Sequence, residues 1–522
     1  MLLYCFFIIL LKNIIIEKSQ NDRLGEKNML RVKYLIVALF LTIFLTSCAS
    51  TYRQVPLKSP EEQLAMALEK VINTPELSNA MVGVMVQSLE TGEILYQKNA
   101  DKVFMPASNE KIPTSTAALL NFGPDFRYQT RVVTNGKIAG SKLAGDLIVI
   151  GSGDPTIGYR FCERRDSCLA FASWIDSLKS LGIESITGNI VGIDDVFDDE
   201  FIGYGWTVDN LPYSYAAEIG GLIFNENYST LSIMADSSSP KIDIALFPDI
   251  NYLNIIPQIK LGEETKINIS RVYTTNQVLL KGTIEQGKKY SRNISIHNPT
   301  LYFLTALKAE LEKSGISVSG RVIDADEKPE LKTDSLFTPL FVHYSDSLKN
   351  ILKILLKESQ NLYAESLVKL LGHHFGENGS FDEGRKVVQN SLRRFGLQEE
   401  NYQYMDGSGL CRYNYISPAY LVKIFRRMYF HPYGEIFRQC LPIAGVDGTI
   451  GYRMHGTIAQ GKIFAKTGTI SNVRCLSGYA FTKDGEPLVF STMFNNFLCS
   501  VQVVLDVQDQ ICMLLSSFHR VN

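Results

Sequence analysis

Leu348, Ile351, Leu352, Leu355 and Leu356 are spaced so that all five fall on one face of a helix. Val504, Val507, Ile511, Leu514 and Leu515 repeat that stripe near the C-terminal end and predict a closing amphipathic helix. Upstream, Ser59-Pro60-Glu61-Glu62 reads as a capping box with proline at the first helical position, and Leu64, Leu68, Val71 and Ile72 continue it as a helical stripe. Thr114 to Leu120 forms another candidate helix, stopped at Gly123-Pro124. Strand patterns lie between these. Met81 to Val86 and Glu93 to Gln97 flank Glu90-Thr91-Gly92 as a hairpin, and Lys462 to Thr467, Cys475 to Phe481 and Leu488 to Phe494 follow, the last two joined across Asp484-Gly485. From about residue 126 to 336 the chain changes to short β-type runs, such as Gly145 to Ile150, Gly188 to Ile193, Ser270 to Tyr273 and Val278 to Ile284, set between Gly, Asp, Asn and Ser. The pattern predicts an α+β protein interrupted by a β-rich insertion.

Composition narrows the class. The chain has 522 residues with 45% apolar and 20% charged positions, enough for several domains and unlike a disordered or multi-span membrane protein. Fifty-two basic residues against 54 acidic ones leave a net charge of -2, so no basic footprint for nucleic acid is present. No HExxH and no zinc-ribbon cysteine spacing occurs, and no metal or cofactor is expected.

The N-terminal segment points outside the cytoplasm. Leu2 to Leu11 is apolar but is cut short by Lys12 and Asn13, below the roughly 20 residues a bilayer requires. Tyr34 to Leu45 follows Arg31 and Lys33 and ends in Leu45-Thr46-Ser47-Cys48, the basic, apolar and small-residue order of a secretory signal. The tetrapeptide resembles the bacterial lipobox, which makes Cys48 the lipidated first residue of the mature chain, against the plainer reading of a thiol beside a cleaved signal. Residues 1–47 are thus read as leader and signal and 48–58 as a polar tether, with Met29 opening the signal and the first 28 residues as an over-extended start. Seven cysteines remain beyond Cys48, an odd number, and Cys162 with Cys168 is a candidate small-loop pair in an exported protein.

Three short patterns carry the chemistry: Ser108-x-x-Lys111, Ser359-Gln360-Asn361 and Lys466-Thr467-Gly468. A chain of this length holds roughly one or two matches to each of the first two by chance, and Ser238-x-x-Lys241 and Ser291-Arg292-Asn293 are such matches. Context separates them. Pro240 opposes a helix through the Ser238 pattern, whereas Ser108 opens a helix that puts Lys111 beside it one turn on, near the positive end of the helix dipole. Pro113 is an awkward residue for the second turn of that helix. Ser359 continues the buried stripe that starts at Leu348 and has a plain alternative as a core serine; Lys466-Thr467-Gly468 ends a strand, with an exposed lysine and a turn glycine as its plain alternative.

In this order the three patterns match the active-site set of the serine β-lactamases and penicillin-binding proteins. The 251-residue interval from Ser108 to Ser359 exceeds what a bare β-lactamase needs. The chain resembles the low-molecular-mass class C penicillin-binding proteins, the D-alanyl-D-alanine carboxypeptidase/endopeptidase family typified by penicillin-binding protein 4, whose members carry extra domains between the first two motifs. Pro106-Ala107-Ser108, Gly151-Ser152-Gly153-Asp154-Pro155, Asp406-Gly407-Ser408-Gly409-Leu410, Gly445-Val446-Asp447-Gly448-Thr449 and Lys466-Thr467-Gly468-Thr469 extend the likeness over residues 60 to 515.

The resemblance implies a β-lactamase/transpeptidase-like catalytic domain, an antiparallel sheet flanked by helices, built from residues 59–125 and 337–522, with 126–336 inserted. It implies Ser108 as nucleophile, Lys111 as its base with a pKa lowered by burial and by Lys466, Ser359 as proton relay and Asn361 as the group orienting Lys111. Lys466 and Thr467 would hold the substrate carboxylate, Gly468 would let the substrate backbone approach, and the N–H groups of Ser108 and Thr469 would form an oxyanion hole. Two departures stand out: Gln360 replaces the commoner Asp, and Trp206-Thr207-Val208-Asp209-Asn210 puts Asn where the family tends to have an acid, leaving Asp209 as the candidate contact to the substrate amine. Expected partners are peptidoglycan stem peptides, β-lactams as inhibitors and, through Cys48, a membrane of the bacterial envelope, with the protein in the periplasm. A β-lactamase, or a non-catalytic β-lactam-sensing or peptidoglycan-binding lipoprotein, is the competing expectation.

Overall fold

In a computed structural model, residues 33–38, 58–160, 168–332, 337–398 and 402–520 are described. The chain divides into Met1–Ser59 and Pro60–Asn522. In the first unit Lys33 to Ala38 are helical, and Cys48 lies outside the described residues, as does Cys162.

The second unit is organised by a five-stranded antiparallel sheet. Its strands are β1 (Met81–Ser88), β2 (Ile94–Lys98), β3 (Ile463–Ile470), β4 (Val473–Phe481) and β5 (Pro487–Asn495), in the order β2-β1-β5-β4-β3. Both faces are covered, and β1, β4 and β5 are buried along most of their length. One face carries helices α1 (Pro60–Ile72) and the C-terminal Val501–Ser517: Leu64, Leu68, Ile72, Val504, Val507, Ile511 and Leu515 pack on Val84, Leu476, Ala480 and Phe490. The other face is covered by the helix Pro418–Tyr429, whose Phe425 packs on Tyr479, and by the turn Ala107–Glu110; α2 (Lys111–Phe122), α3 (Leu348–Lys357) and α4 (Asn361–Phe375) belong to the same buried core with Met85, Cys475, Val489 and Met493. The α3 stripe is buried as its spacing predicts, from Leu348 to Leu356.

Two sequence expectations shift by a turn. Ser359 does not continue the α3 stripe: α3 stops at Lys357, Ser359 takes φ +60°, and α4 begins at Asn361. Pro113 does not bend a second turn, because the α-helix starts only at Lys111 and Pro113 falls within its first turn, where N–H groups need no intrahelical acceptor.

The region from 126 to 336 holds the predicted strands, Leu147–Ile150, Ile190–Ile193, Lys266–Arg271 and Gln277–Ile284 among them, in sheets separate from β1 to β5. It also contains two helices the sequence reading did not separate from the β-rich surroundings, Leu169–Ser180 and Pro299–Lys313, each burying apolar side chains such as Phe171, Trp174, Phe303 and Leu307. Its edge does not stop at 336. The strand Thr338–Tyr344 pairs with Gln129–Thr134, so the inserted sheet takes its last strand from beyond the expected boundary.

Candidate active site

Ser108 lies in a short 3-10 turn, Ala107–Glu110, immediately ahead of α2. The turn is confined from two sides. A Cβ on Gly409 would sit 1.8 Å from the Ala107 carbonyl oxygen, and one on Gly468 would sit 2.4 Å from that of Pro106. The backbone of the Ser108 turn thus approaches Gly468 closely. Asn109 Nδ2 donates to the Lys466 carbonyl at 3.1 Å and ties the turn to β3.

Lys111 is fully buried and its amine meets three acceptors from three parts of the chain: Ser108 Oγ at 2.9 Å, Asn361 Oδ1 at 2.6 Å and the Ser408 carbonyl at 2.7 Å. Burial draws its pKa down to about 7, opposed by the negative charges of Glu365, Asp406 and Glu110. Lys466, on the edge strand β3, donates to Ser359 Oγ at 2.8 Å and to the Thr467 carbonyl at 2.9 Å. Burial, then the charge of Lys111, pushes Lys466 well below the ordinary lysine range. Burial is the largest cause at both lysines, and the two amines repel each other when both are charged.

A cleft of about 920 Å³ opens over this cluster, lined by Ser108, Ser359, Asn361, Thr467 and Thr469. Thr467 Oγ1 donates to Thr449 Oγ1 at 2.8 Å. Lys357 ties down the loop carrying Thr449, through bonds to Asp447 of 2.6 and 2.8 Å. From the region between 126 and 336, Asp209, in the turn Val208–Asn210, lines the cleft with Thr207 and Tyr215. Arg412 and Arg474 add positive charge to it.

Several polar groups at the site carry no motif of their own. Glu365, one helical turn after Asn361 in α4, is fully buried; it accepts from the backbone N–H groups of Gly407 at 2.9 Å and Ser408 at 2.7 Å, which aims the Ser408 carbonyl at Lys111. Burial, then Asp406, pushes its pKa up to about 8. Asp406 accepts from Gly409 N at 2.8 Å, Cys411 N at 2.6 Å and Trp206 Nε1 at 2.9 Å, holding the loop between them. Glu110 accepts from the Tyr402 hydroxyl at 2.9 Å, and burial raises its pKa well above the carboxylate range. The i, i+4 spacing of Asn361 and Glu365 and the Asp406 to Leu410 stretch were the available signals. Among the described residues one carboxylate group has oxygens close enough to share a metal ion, Asp194, Asp324 and Asp326, and none of the three lines the cleft.

An antiparallel sheet between helical layers, with a serine, two buried lysines and an edge-strand threonine meeting at one end, defines the penicillin-interacting class of serine acyl-transfer enzymes. The chain belongs to the D-Ala-D-Ala carboxypeptidase 3 (S13) family, whose model matches residues 64–518. It is 29% identical over 476 residues to the D-alanyl-D-alanine carboxypeptidase of Actinomadura sp. (strain R39), covering 87% of this chain and 85% of that one. Penicillin-sensitive carboxypeptidase A of Dictyostelium discoideum is 26% identical over 457 residues, covering 81% and 84%. The crystal structure of Haemophilus influenzae penicillin-binding protein 4 superposes with a TM-score of 0.73 at 25% identity, covering 85% of this chain and 97% of that one.

Proposed function

We propose that Ser108 hydrolyses the terminal D-Ala-D-Ala bond of peptidoglycan stem peptides through an acyl-enzyme, with Lys111 as its base. The observation that carries this reading is the Lys111 amine, which touches Ser108 Oγ and Asn361 Oδ1 at once. A neutral amine has two N–H donors and one lone pair. Asn361 and the Ser408 carbonyl take the donors, and the lone pair turns to the Ser108 hydroxyl. A pKa near 7 keeps about half of the amine in that state at neutral pH.

Ser108 Oγ attacks the carbonyl of the penultimate D-Ala while its proton passes to Lys111. The oxyanion that forms is held by the N–H groups of Ser108 and Thr469, a contribution of about 3 kcal/mol per donor. Ser359 delivers a proton to the departing D-Ala nitrogen and is recharged by the Lys466 amine it already meets. Thr467, on the cleft wall, and Lys466 behind it hold the terminal carboxylate, whose negative charge draws the proton affinity of Lys466 back up. Lys111 then gives up the Ser108 proton to solvent and Lys466 regains one from it; water attacks the ester carbonyl, the neutral Lys111 takes one of its protons, and that proton returns to Ser108 as it leaves. Asp209 reaches the amine of the stem side chain. Penicillin presents a carbonyl and carboxylate in the same relation, so Ser108 is acylated by it as well.

The Tyr34 to Cys48 stretch supports export and lipid attachment at Cys48, placing the enzyme in the cell envelope; no helix among the described residues is long and apolar enough to cross a membrane. Loss of lipid label in Cys48→Ser tests that tether. Mass spectrometry of stem peptides and cross-linked dimers after incubation with the protein tests the activity. Release of one D-Ala identifies a carboxypeptidase and splitting of dimers an endopeptidase; unchanged substrates with the wild-type chain would reject both.

A further inference from the structure

The second motif stands on backbone that serine rarely adopts. Ser359 at φ +60° is in the left-handed region, where a non-glycine residue persists only when surrounding contacts over-determine it. Those contacts come from the inserted region, on both sides of Ser359. Arg160 Nη1 donates to Glu358 Oε2, on the residue before it. Gln360 Nε2, on the residue after it, donates to Glu226 Oε2. The clamp is closed on itself, because Arg160 binds Glu226 through Nε and, at 2.9 Å, through Nη2. Next in the chain, Asn361 Nδ2 donates to the Tyr215 carbonyl at 2.7 Å, which turns Asn361 Oδ1 toward Lys111.

Glu226 is built to stay in place. It is buried, and Asn225, Glu226 and Asn227 have φ of 48°, 54° and 53°, a backbone knuckle that aims the carboxylate at α4. We propose that Glu226 and Arg160 are positioning residues that grip Glu358 and Gln360 and so hold Ser359 against Lys466. This rests on the reading of Ser359 as the proton relay. It also gives the departure at Gln360 a physical reason. Glu226 needs a donor opposite it, and an acidic side chain at position 360 would set one carboxylate against another.

The test is an exchange of amide and carboxylate in the full chain. Gln360→Glu, Glu226→Gln and the pair together are compared for kcat and KM on a synthetic tripeptide ending in D-Ala-D-Ala, for acylation by a fluorescent penicillin, and for Tm. Gln360→Glu is expected to lower kcat and the acylation rate roughly 10- to 100-fold, with KM little changed, because the relay and not the cleft is displaced. The double variant restores an amide opposite a carboxylate and is expected to recover most of that loss. Wild-type kcat in Gln360→Glu, or a double variant as slow as Gln360→Glu, would overturn the clamp. Ser359→Ala separates the two levels. If it loses acylation while Gln360→Glu keeps it, only the clamp falls; if Ser359→Ala acylates at the wild-type rate, the relay reading falls and the clamp with it.

Discussion

The layers on the two sides of the central sheet are buried to the same degree but bury different groups. Against α1 and the Val501–Ser517 helix the fill is aliphatic, with Leu68, Val84, Ile511 and Leu515 all inaccessible. On the other side, beyond the helix Pro418–Tyr429, α2, α4 and the turn ahead of α2 bury Glu110, Lys111, Thr114, Glu365, Ser366 and Lys369, all equally inaccessible. The first face gains stability from area removed from water, at roughly 25 cal/mol per Å² of apolar surface. The second gives up part of that gain to keep titratable groups dry, where their pKa values move toward neutrality and each must find a partner. One side buries aliphatic surface and the other also buries ionisable groups.

The comparison can be broken most strongly at the nucleophile. Ser108→Ala should lower D-Ala release by at least about 10⁴-fold while leaving Tm near the wild-type value, since the residue lies at the cleft surface. A variant that still released D-Ala at the wild-type rate would remove the polar face's role altogether. Leu68→Ala should do the reverse: a loss of about 3 kcal/mol in denaturant-measured stability, with kcat/KM per folded molecule unchanged, because Leu68 packs only within the aliphatic face.

A subtler separation is by pH. Lys111 must be neutral to accept the Ser108 proton, and its pKa is drawn to about 7. Activity should therefore rise with pH through about 7 and fall about tenfold for each unit below it, read from kcat/KM between pH 5 and 8. A flat profile across that range would reject Lys111 as the base. The smallest effect belongs to Glu365→Gln. Its negative charge raises the Lys111 pKa, so removing it should move the acid limb to lower pH, and only slightly because burial disfavours the charged form of the carboxyl. A limb that moved upward would contradict the sign of that interaction.

The aliphatic face was legible from spacing alone. The stripes at Leu64 to Ile72 and Val504 to Leu515 needed only helical periodicity, and the strands packed on them only alternation and turns. The reactive face was legible only where residue type is rare enough to mark a motif, as at Ser108, Lys111 and Lys466. Ser359 was placed on the wrong side of a helix end, because its left-handed backbone is imposed by Arg160 and Glu226, more than a hundred positions away. The Ser408 and Tyr215 carbonyls had no signal at all, since a backbone oxygen is the same at every position. Glu365 was hidden for another reason: a lone acid in an apolar helix looks like a solvent-facing residue until its burial is known. The inserted helices were masked by the short strands and loop residues around them.

β3 sends alternate residues to opposite sides: Lys466 and Gly468 inward, Thr467 and Thr469 to the cleft. Fully buried and cleft-lining residues thus alternate by parity within four consecutive positions. A single-residue insertion or deletion in this strand would interchange the two sets, presenting lysine to solvent and burying threonine in its stead. Length here is as strict a requirement as identity.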